Sequence, residues 1–512
     1  MTNPPKPYAH QASEFEATKE LRDWALWWEQ GTGKTRPTID TAAHLFREGK
    51  IDALLVIAPK AVAPNWAFDE LPKHMPSDVL ERSTIVNYRS SRAMTQKFQR
   101  ELEKALKAPG LLIVCMPYDS IMTEMKPGAK AVKNVARTFK GKEFAKEVLT
   151  IRRTMMVLDE SARIKSPRAK RTKRLTRAGR LAAYRRVLTG TPIANSPFDS
   201  YTQIRFLDPD FWPKRGLGSP EAFRQNYGEW EKRLINPHKC MHPDGAKNPG
   251  CNCPKYPKLL DYKNLDDLHD VMKEVGSRLL KEDCLDLPDK IYHRRKFYLT
   301  PAQKSLYKVL ATELRAMLKS GDSITTPLAI TKLLRLQEIT SGYCPTDGGH
   351  KVLVDNNPRP AVLCDVFDEF QGKKLVFAKF RHDFEQIRNV MIERDMKFVE
   401  YHGAISEKNR EIARRAIQDD PDCEVFLGNP ASCGEGLTLH AASTVVFYNT
   451  TFKLGERLQA EDRAHRIGQL RNVDYVDIVA QGTVDEYIID KLVYKKNLSD
   501  MIMGDPKGEW IE

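Results

Sequence analysis

The sequence has no unbroken run of roughly 18 apolar residues, the length a membrane-spanning helix needs, so no membrane association is expected. Its opening, MTNPPKPYAHQ, lacks the basic-then-apolar order of a secretory signal. Cysteine is sparse: nine scattered among 512 residues, an odd number, which is no disulfide framework. That usage implies a reduced, intracellular and soluble setting, in cytoplasm or nucleoid, or in the nucleus of a eukaryote. Internal repeats and a long low-complexity tail are also lacking. Acid is in deficit, with 68 Asp and Glu against 82 Lys and Arg. The resulting net charge of +14 suits either an anionic partner such as nucleic acid or a merely soluble basic surface.

What is there, first of all, is a set of short apolar runs. ALLVIAP (53–59), LLIVCM (111–116), TMMVLDE (154–160) and RRVLTGT (185–191) form one block; KLVFAKF (374–380), KFVEYHG (397–403), CEVFLGN (423–429) and TVVFYN (444–449) form another. None alternates apolar with polar, so both faces of such strands must be covered, as in a parallel α/β sheet. The fold class expected is α/β, with two tandem doubly wound lobes. The expected division is a first lobe over 1–212, an insertion over 213–290, a helical region over 291–350, a second lobe over 351–490 and a tail over 491–512. Apolar residues three and four apart in LYKVLATELRAML and LAITKLLRLQEI support the helical region.

Residues 28–35 read W-E-Q-G-T-G-K-T. Gly31 and Gly33 permit a tight turn whose N–H groups, with those of Thr32, make a nest for phosphate at a helix N-terminus. Lys34 would reach the β- and γ-phosphates of ATP, and Thr35 would place its hydroxyl on Mg²⁺. Trp28 occupies the position where the usual pattern has its first glycine. Asp159 and Glu160 close an apolar strand, which places carboxylates at the ligand crevice of an α/β sheet. Asp159 suits Mg²⁺, and Glu160 suits acceptance of a proton from an attacking water.

In the second block, Q-A-E-D-R-A-H-R-I-G-Q (459–469) spaces Arg463 and Arg466 three apart, which on a helix puts both guanidiniums on one face. Two such arginines can neutralise charge on a transferring phosphoryl group.

These segments together resemble the Swi/Snf-like family of superfamily-two helicases and DNA translocases, in a compact, motor-only form. The wording of 459–469 is similar to its annealing-helicase branch. The resemblance implies two RecA-like lobes hydrolysing ATP between them, with Mg²⁺, in a monomeric motor that moves on double-stranded DNA. It implies that Gln11, in P-Y-A-H-Q, reads adenine, and that Gly436 and Gln459 also lie at the nucleotide. It implies track contacts at Lys60, Trp66, Tyr118, Lys379 and His402. Two departures stand out: Ala162 replaces the His expected in D-E-x-H, and Cys433 replaces a neighbour of the central glycine Gly434.

The run 162–186 carries Lys165, Arg168, Lys170, Arg171, Lys173 and Arg174 with no acid among them, which favours phosphate neutralisation over a simply solvated face. Cys240, His242, Cys251 and Cys253 form C-x-H and C-x-C pairs eight residues apart, a candidate structural zinc set with His238 in reserve. The other reading is a surface loop with unpaired thiols. Two alternatives to duplex translocation stay open: strand separation or annealing on forked DNA or RNA, and a DNA-binding scaffold with an inactive ATPase site.

Overall fold

The computed structural model describes residues 4–125, 132–133, 135, 137–234, 253, 255–320, 326–345, 351–354, 356–433, 437–506 and 510. The chain forms two compact units. The first comprises Met1–Tyr227, Asn264–Asp286 and Ser499–Asp505; the second comprises Gly228–Lys263, Leu287–Leu498 and Pro506–Glu512.

The first unit is built on a seven-stranded sheet. Its strands are β1 (Asp23–Trp28), β2 (Ala53–Ala58), β3 (Ser83–Asn87), β4 (Leu111–Pro117), β5 (Thr154–Asp159), β6 (Tyr184–Leu188) and, after a hairpin of β7 (Gly228–Leu234) and β8 (Lys255–Tyr262) that belongs to the second unit, β9 (Gly276–Leu279). The order is β3-β4-β2-β5-β6-β1-β9, and every pairing is parallel. All six residues of β2 and of β5 are buried, as unbroken apolar runs covered on both faces require. The helix Thr35–Arg47 packs Ile39, Ala42, Ala43, Leu45 and Phe46 against Leu54, Val56 and Leu111. Pro37 falls in its first turn, where a missing N–H does no harm.

Strand β9 lies within what the sequence suggests is an insertion. It pairs Ala25 with Gly276 and Trp28 with Leu279. A Cβ at Gly276 would come within 2.6 Å of the Ala25 carbonyl oxygen, so the approach needs glycine.

The second unit holds a six-stranded parallel sheet. Its strands are β10 (Lys290–Phe297), then, beyond the small hairpin β11 (Tyr343–Pro345) and β12 (Lys351–Leu353), β13 (Lys374–Phe377), β14 (Phe398–Tyr401), β15 (Val425–Gly428), β16 (Thr444–Phe447) and β17 (Val473–Ala480), in the order β10-β17-β16-β13-β15-β14. Helices Pro301–Ser320 and Thr326–Thr340 occupy the region expected to be helical. Among the described residues, no helix is long and apolar enough to cross a membrane.

Candidate active site

In the first unit the order β5-β6-β1 brings three carboxyl strand ends side by side. This is where ligands of open α/β sheets bind. From β1 comes the turn 29–34, in which Gly31 (φ 86°) and Gly33 (φ 81°) adopt a left-handed backbone that a side chain would strain. Thr32 Oγ1 donates to Glu29 O at 2.8 Å, and Lys34 Nζ donates to Trp28 O (2.9 Å) and Glu29 O (3.0 Å), so the turn is closed from inside. The helix starting at Thr35 directs its first N–H groups at the same place. Its Thr35 hydroxyl has no hydrogen-bond partner among the described residues.

Two neighbouring segments brace the turn. Gln11 receives Tyr8 N on Oε1 (3.0 Å) and donates from Nε2 to Gly33 O (3.1 Å), while His10 Nε2 lies 2.9 Å from Thr32 O. A Cβ at Gly33 would run into Gln11 Nε2. From the other side, Glu29 N donates to Leu279 O (2.9 Å), Glu29 Oε2 accepts Lys281 N (2.8 Å), and Trp28 Nε1 donates to Ser277 Oγ (3.0 Å). Strand β9 therefore positions the turn. Nothing in G-S-R-L signals this, because its role comes from pairing and not from an apolar pattern.

The end of β5 supplies the acids. Asp159 is buried, which pushes its carboxyl up; the Trp66 indole, the Lys34 charge and its neighbour's N–H pull the other way. Trp66 Nε1 donates to Asp159 Oδ2 at 2.8 Å, Glu160 N donates to Asp159 Oδ1 at 2.9 Å, and Tyr118 Oη donates to Asp159 O at 2.8 Å. Glu160 sits in a left-handed conformation (φ 53°, ψ 53°), a strained geometry for a non-glycine residue that turns its side chain back over the site. Its Oε1 accepts Gln30 Nε2 (3.2 Å) and its Oε2 faces Thr189 Oγ1 (3.5 Å), so residues after β1, β5 and β6 meet at one carboxylate.

Ala162 leaves the acidic turn without the imidazole expected there. The turn is instead tied down by Ser161, whose Oγ donates to Gln203 Oε1 at 2.7 Å. Gln203 Nε2 in turn donates to Pro192 O (2.8 Å) and Asp199 O (2.9 Å), linking the acids to the segment 188–199 through one fully buried amide.

Two track contacts need correction. Trp66 and Tyr118 are 1% and 2% exposed, within the first unit, so neither presents a surface to nucleic acid. Their polar atoms hold Asp159 instead, and Trp66 opens a one-turn π-helix (Trp66–Glu70). Lys60, beyond β2, is exposed. In the second unit Lys379 is half-buried, donates from Nζ to Gln337 Oε1 (2.6 Å), and burial holds its ammonium down to about 8. His402 Nε2 lies 3.2 Å from Glu400 Oε2.

Arg463 and Arg466 do not share a helix. The helix Leu454–Glu461 ends first, and the chain continues in tight turns (Arg463 N to Ala460 O, Arg466 N to Ala464 O) up to Gly468 at φ 100°. They nevertheless converge, donating to the Leu437 carbonyl oxygen at 3.0 and 2.7 Å respectively, and Arg466 also reaches Thr438 Oγ1 at 3.0 Å. Gln459 contributes its carbonyl to Arg463 Nε at 2.9 Å. A buried ion network supports them: Arg457 donates to Glu461 (2.7 Å) and to both oxygens of Asp477 (2.6 and 2.8 Å), and Tyr292 Oη donates to Glu461 Oε2 (2.9 Å). Gly436 lies outside the described residues, as do His238, Cys240, His242 and Cys251 of the candidate zinc set. Cys253 alone of that set is described, and no metal-ligating cluster is found among the described residues.

A glycine turn with acids at adjacent strand ends on one parallel sheet, and a paired-arginine turn on another, are the arrangement expected of a helicase-like ATPase. The chain belongs to the SNF2-related family: residues 24–342 match its SNF2-related domain and 358–468 match the helicase conserved C-terminal domain. It is 26% identical to the mouse protein "DNA annealing helicase and endonuclease ZRANB3", over 89% of this chain and 37% of that one. It is 25% identical to "ATP-dependent helicase brm" of Drosophila melanogaster, over 93% of this chain and 27% of that one. The chain thus spans about a third of the length of these curated relatives. Among solved structures, the Sulfolobus solfataricus SWI2/SNF2 ATPase core in complex with dsDNA is 22% identical, with 98% of this chain and 94% of that chain covered and a TM-score of 0.39.

Proposed function

We propose that the protein is an ATP-driven translocase on double-stranded DNA. The observation that carries this reading is the meeting of Lys34, Asp159 and Glu160 at adjacent strand ends, with Gln30 bridging the phosphate turn to Glu160. Backbone N–H groups of 31–35 and the Lys34 ammonium receive the phosphates of ATP. The residues fit Mg²⁺: Thr35 offers a hydroxyl and Asp159 a carboxylate, both oxygen donors beside the phosphate nest. When bound, Mg²⁺ supplies neutralisation of phosphate charge. Glu160 accepts the proton of the attacking water, and its αL backbone sets the direction of that carboxylate. Tyr8, exposed and stacked on His10 at 5.7 Å, offers a platform for adenine beside Gln11.

Arg463 and Arg466 neutralise the transferring phosphoryl group, a contribution worth about 10³–10⁵ in rate in other nucleotide hydrolases. The two arginines stand on the second unit and Lys34, Asp159 and Glu160 on the first, and in this reading each turnover becomes movement along the track. Lys60, Lys379 and His402 are the track contacts of this reading. Grip through phosphates implies binding without sequence preference. Lys34→Ala and Arg466→Ala in the full chain should each abolish DNA-stimulated ATP hydrolysis. The relatives named as DNA annealing helicases favour strand annealing as a second reading. Stimulation by duplex, single-stranded DNA and RNA distinguishes the two, duplex being the strongest activator of a translocase.

A further inference from the structure

The helix Lys170–Gly179 carries five basic residues, six with its C-cap Arg180, and they divide into two groups. Arg171 and Arg174 face the body of the first unit. Arg171 pairs with Asp119 (2.6 Å), and Arg174 pairs with Glu124 (2.9 Å) and donates to Met122 O (2.8 Å). Lys170, Lys173, Arg177 and Arg180 are all exposed, and none has an ion-pair partner among the described residues. Their spacing of three, four and three residues sets them in one line along the helix. Buried Thr172, Leu175 and Gly179 fix the opposite face, so the line is held outward by the fold.

Local stability does not explain this arrangement. Lys170 and Lys173 occupy the first turn, where the helix dipole disfavours cations, and that turn has neither an acidic residue nor a side-chain cap. An external anion would offset both costs. Four cations along about 15 Å of helix can each neutralise a phosphate of a duplex, whose charges lie more densely still, about one per 1.7 Å of its axis. The segment 170–180 has no aromatic residue on which unpaired bases would stack.

We infer that Lys170, Lys173, Arg177 and Arg180 form an ancillary phosphate-binding stripe on the first unit that holds double-stranded nucleic acid. The inference rests on the nucleic-acid reading above and adds a surface outside the nucleotide site. The test uses the full chain and its K170E/K173E/R177E/R180E and K170Q/K173Q/R177Q/R180Q variants. Affinity for a mixed-sequence duplex is followed by fluorescence anisotropy across a salt series, with thermal melting as the control for folding. The stripe predicts a salt dependence shallower by about 0.9 in log–log slope for each phosphate that the variant no longer neutralises, summing to about 2–4, with variants that melt as the parent does. The glutamine variant separates simple removal of positive charge from added repulsion. Slopes superimposable on the parent's would overturn the stripe while leaving the motor reading intact. Variants that lose binding to polyglutamate with an unchanged duplex slope would overturn it in favour of an acidic protein partner. Absence of duplex binding by the parent chain at any salt would overturn the stripe and the motor reading together.

Discussion

Trp66 Nε1 donates to Asp159 Oδ2 at 2.8 Å, so an indole from the segment that also bears exposed Lys60 holds the carboxylate assigned to Mg²⁺. Partners of this kind fix the orientation of a metal-binding carboxylate. Trp66→Phe keeps most of the packing and removes the donor. The midpoint of Mg²⁺ dependence for ATP hydrolysis should rise by about 10-fold or more, and stability should fall by about 1–3 kcal/mol because a buried carboxylate oxygen loses its donor. An unaltered Mg²⁺ midpoint would deny Trp66 this role.

Gln203 joins the acidic turn to segment 188–199 through three hydrogen bonds made by a single buried amide. Gln203→Leu is similar in size but orphans Ser161 Oγ and two carbonyls, at about 1–3 kcal/mol for each unsatisfied group. Stability measured by denaturant should fall. DNA stimulation of ATPase should fall further than DNA-free ATPase, because the amide spans the two segments. Equal loss in both would make Gln203 a packing residue alone.

The strands were legible in the sequence and their supports were not. ALLVIAP and TMMVLDE become β2 and β5 because unbroken apolar runs of this length need both faces covered, as central strands of a parallel sheet are. Gly276–Leu279 carries no such run, and its place comes from pairing with β1. Family-like wording located Trp66 and Tyr118, but wording does not encode which way a ring points, and both turn inward to Asp159. The pair Arg463 and Arg466 was visible as a spacing. That spacing does not reveal that the helix stops at Glu461 and that the two guanidiniums meet through turns at Leu437 O.

Lys379 gives a pH signature. Burial lowers its pKa to about 8, against the opposing pull of Asp383, Asp485 and Glu456. It is charged below that value and neutral above it, so a phosphate contact made by Lys379 weakens as pH rises through 8. Between about pH 7 and about pH 9 the salt slope of duplex binding should flatten by up to about 0.9. Lys379→Arg, permanently charged, should abolish that pH dependence.

Arg457 is fully buried between Glu461 and Asp477 beneath the arginine turn. Arg457→Met removes the shared cation and leaves two buried carboxylates facing each other, at about 3–5 kcal/mol. The melting temperature should drop, and the loss should lessen at acid pH, where protonation relieves the repulsion.

The most direct test of the central claim is single-turnover ATP hydrolysis by the full chain on saturating duplex DNA, comparing the parent with Arg463→Ala and Arg466→Ala. Arginines acting on the phosphoryl group predict a fall of about 10³ or more in the hydrolysis step, with duplex affinity preserved. Hydrolysis at the parent rate in both variants would contradict a catalytic role for Arg463 and Arg466.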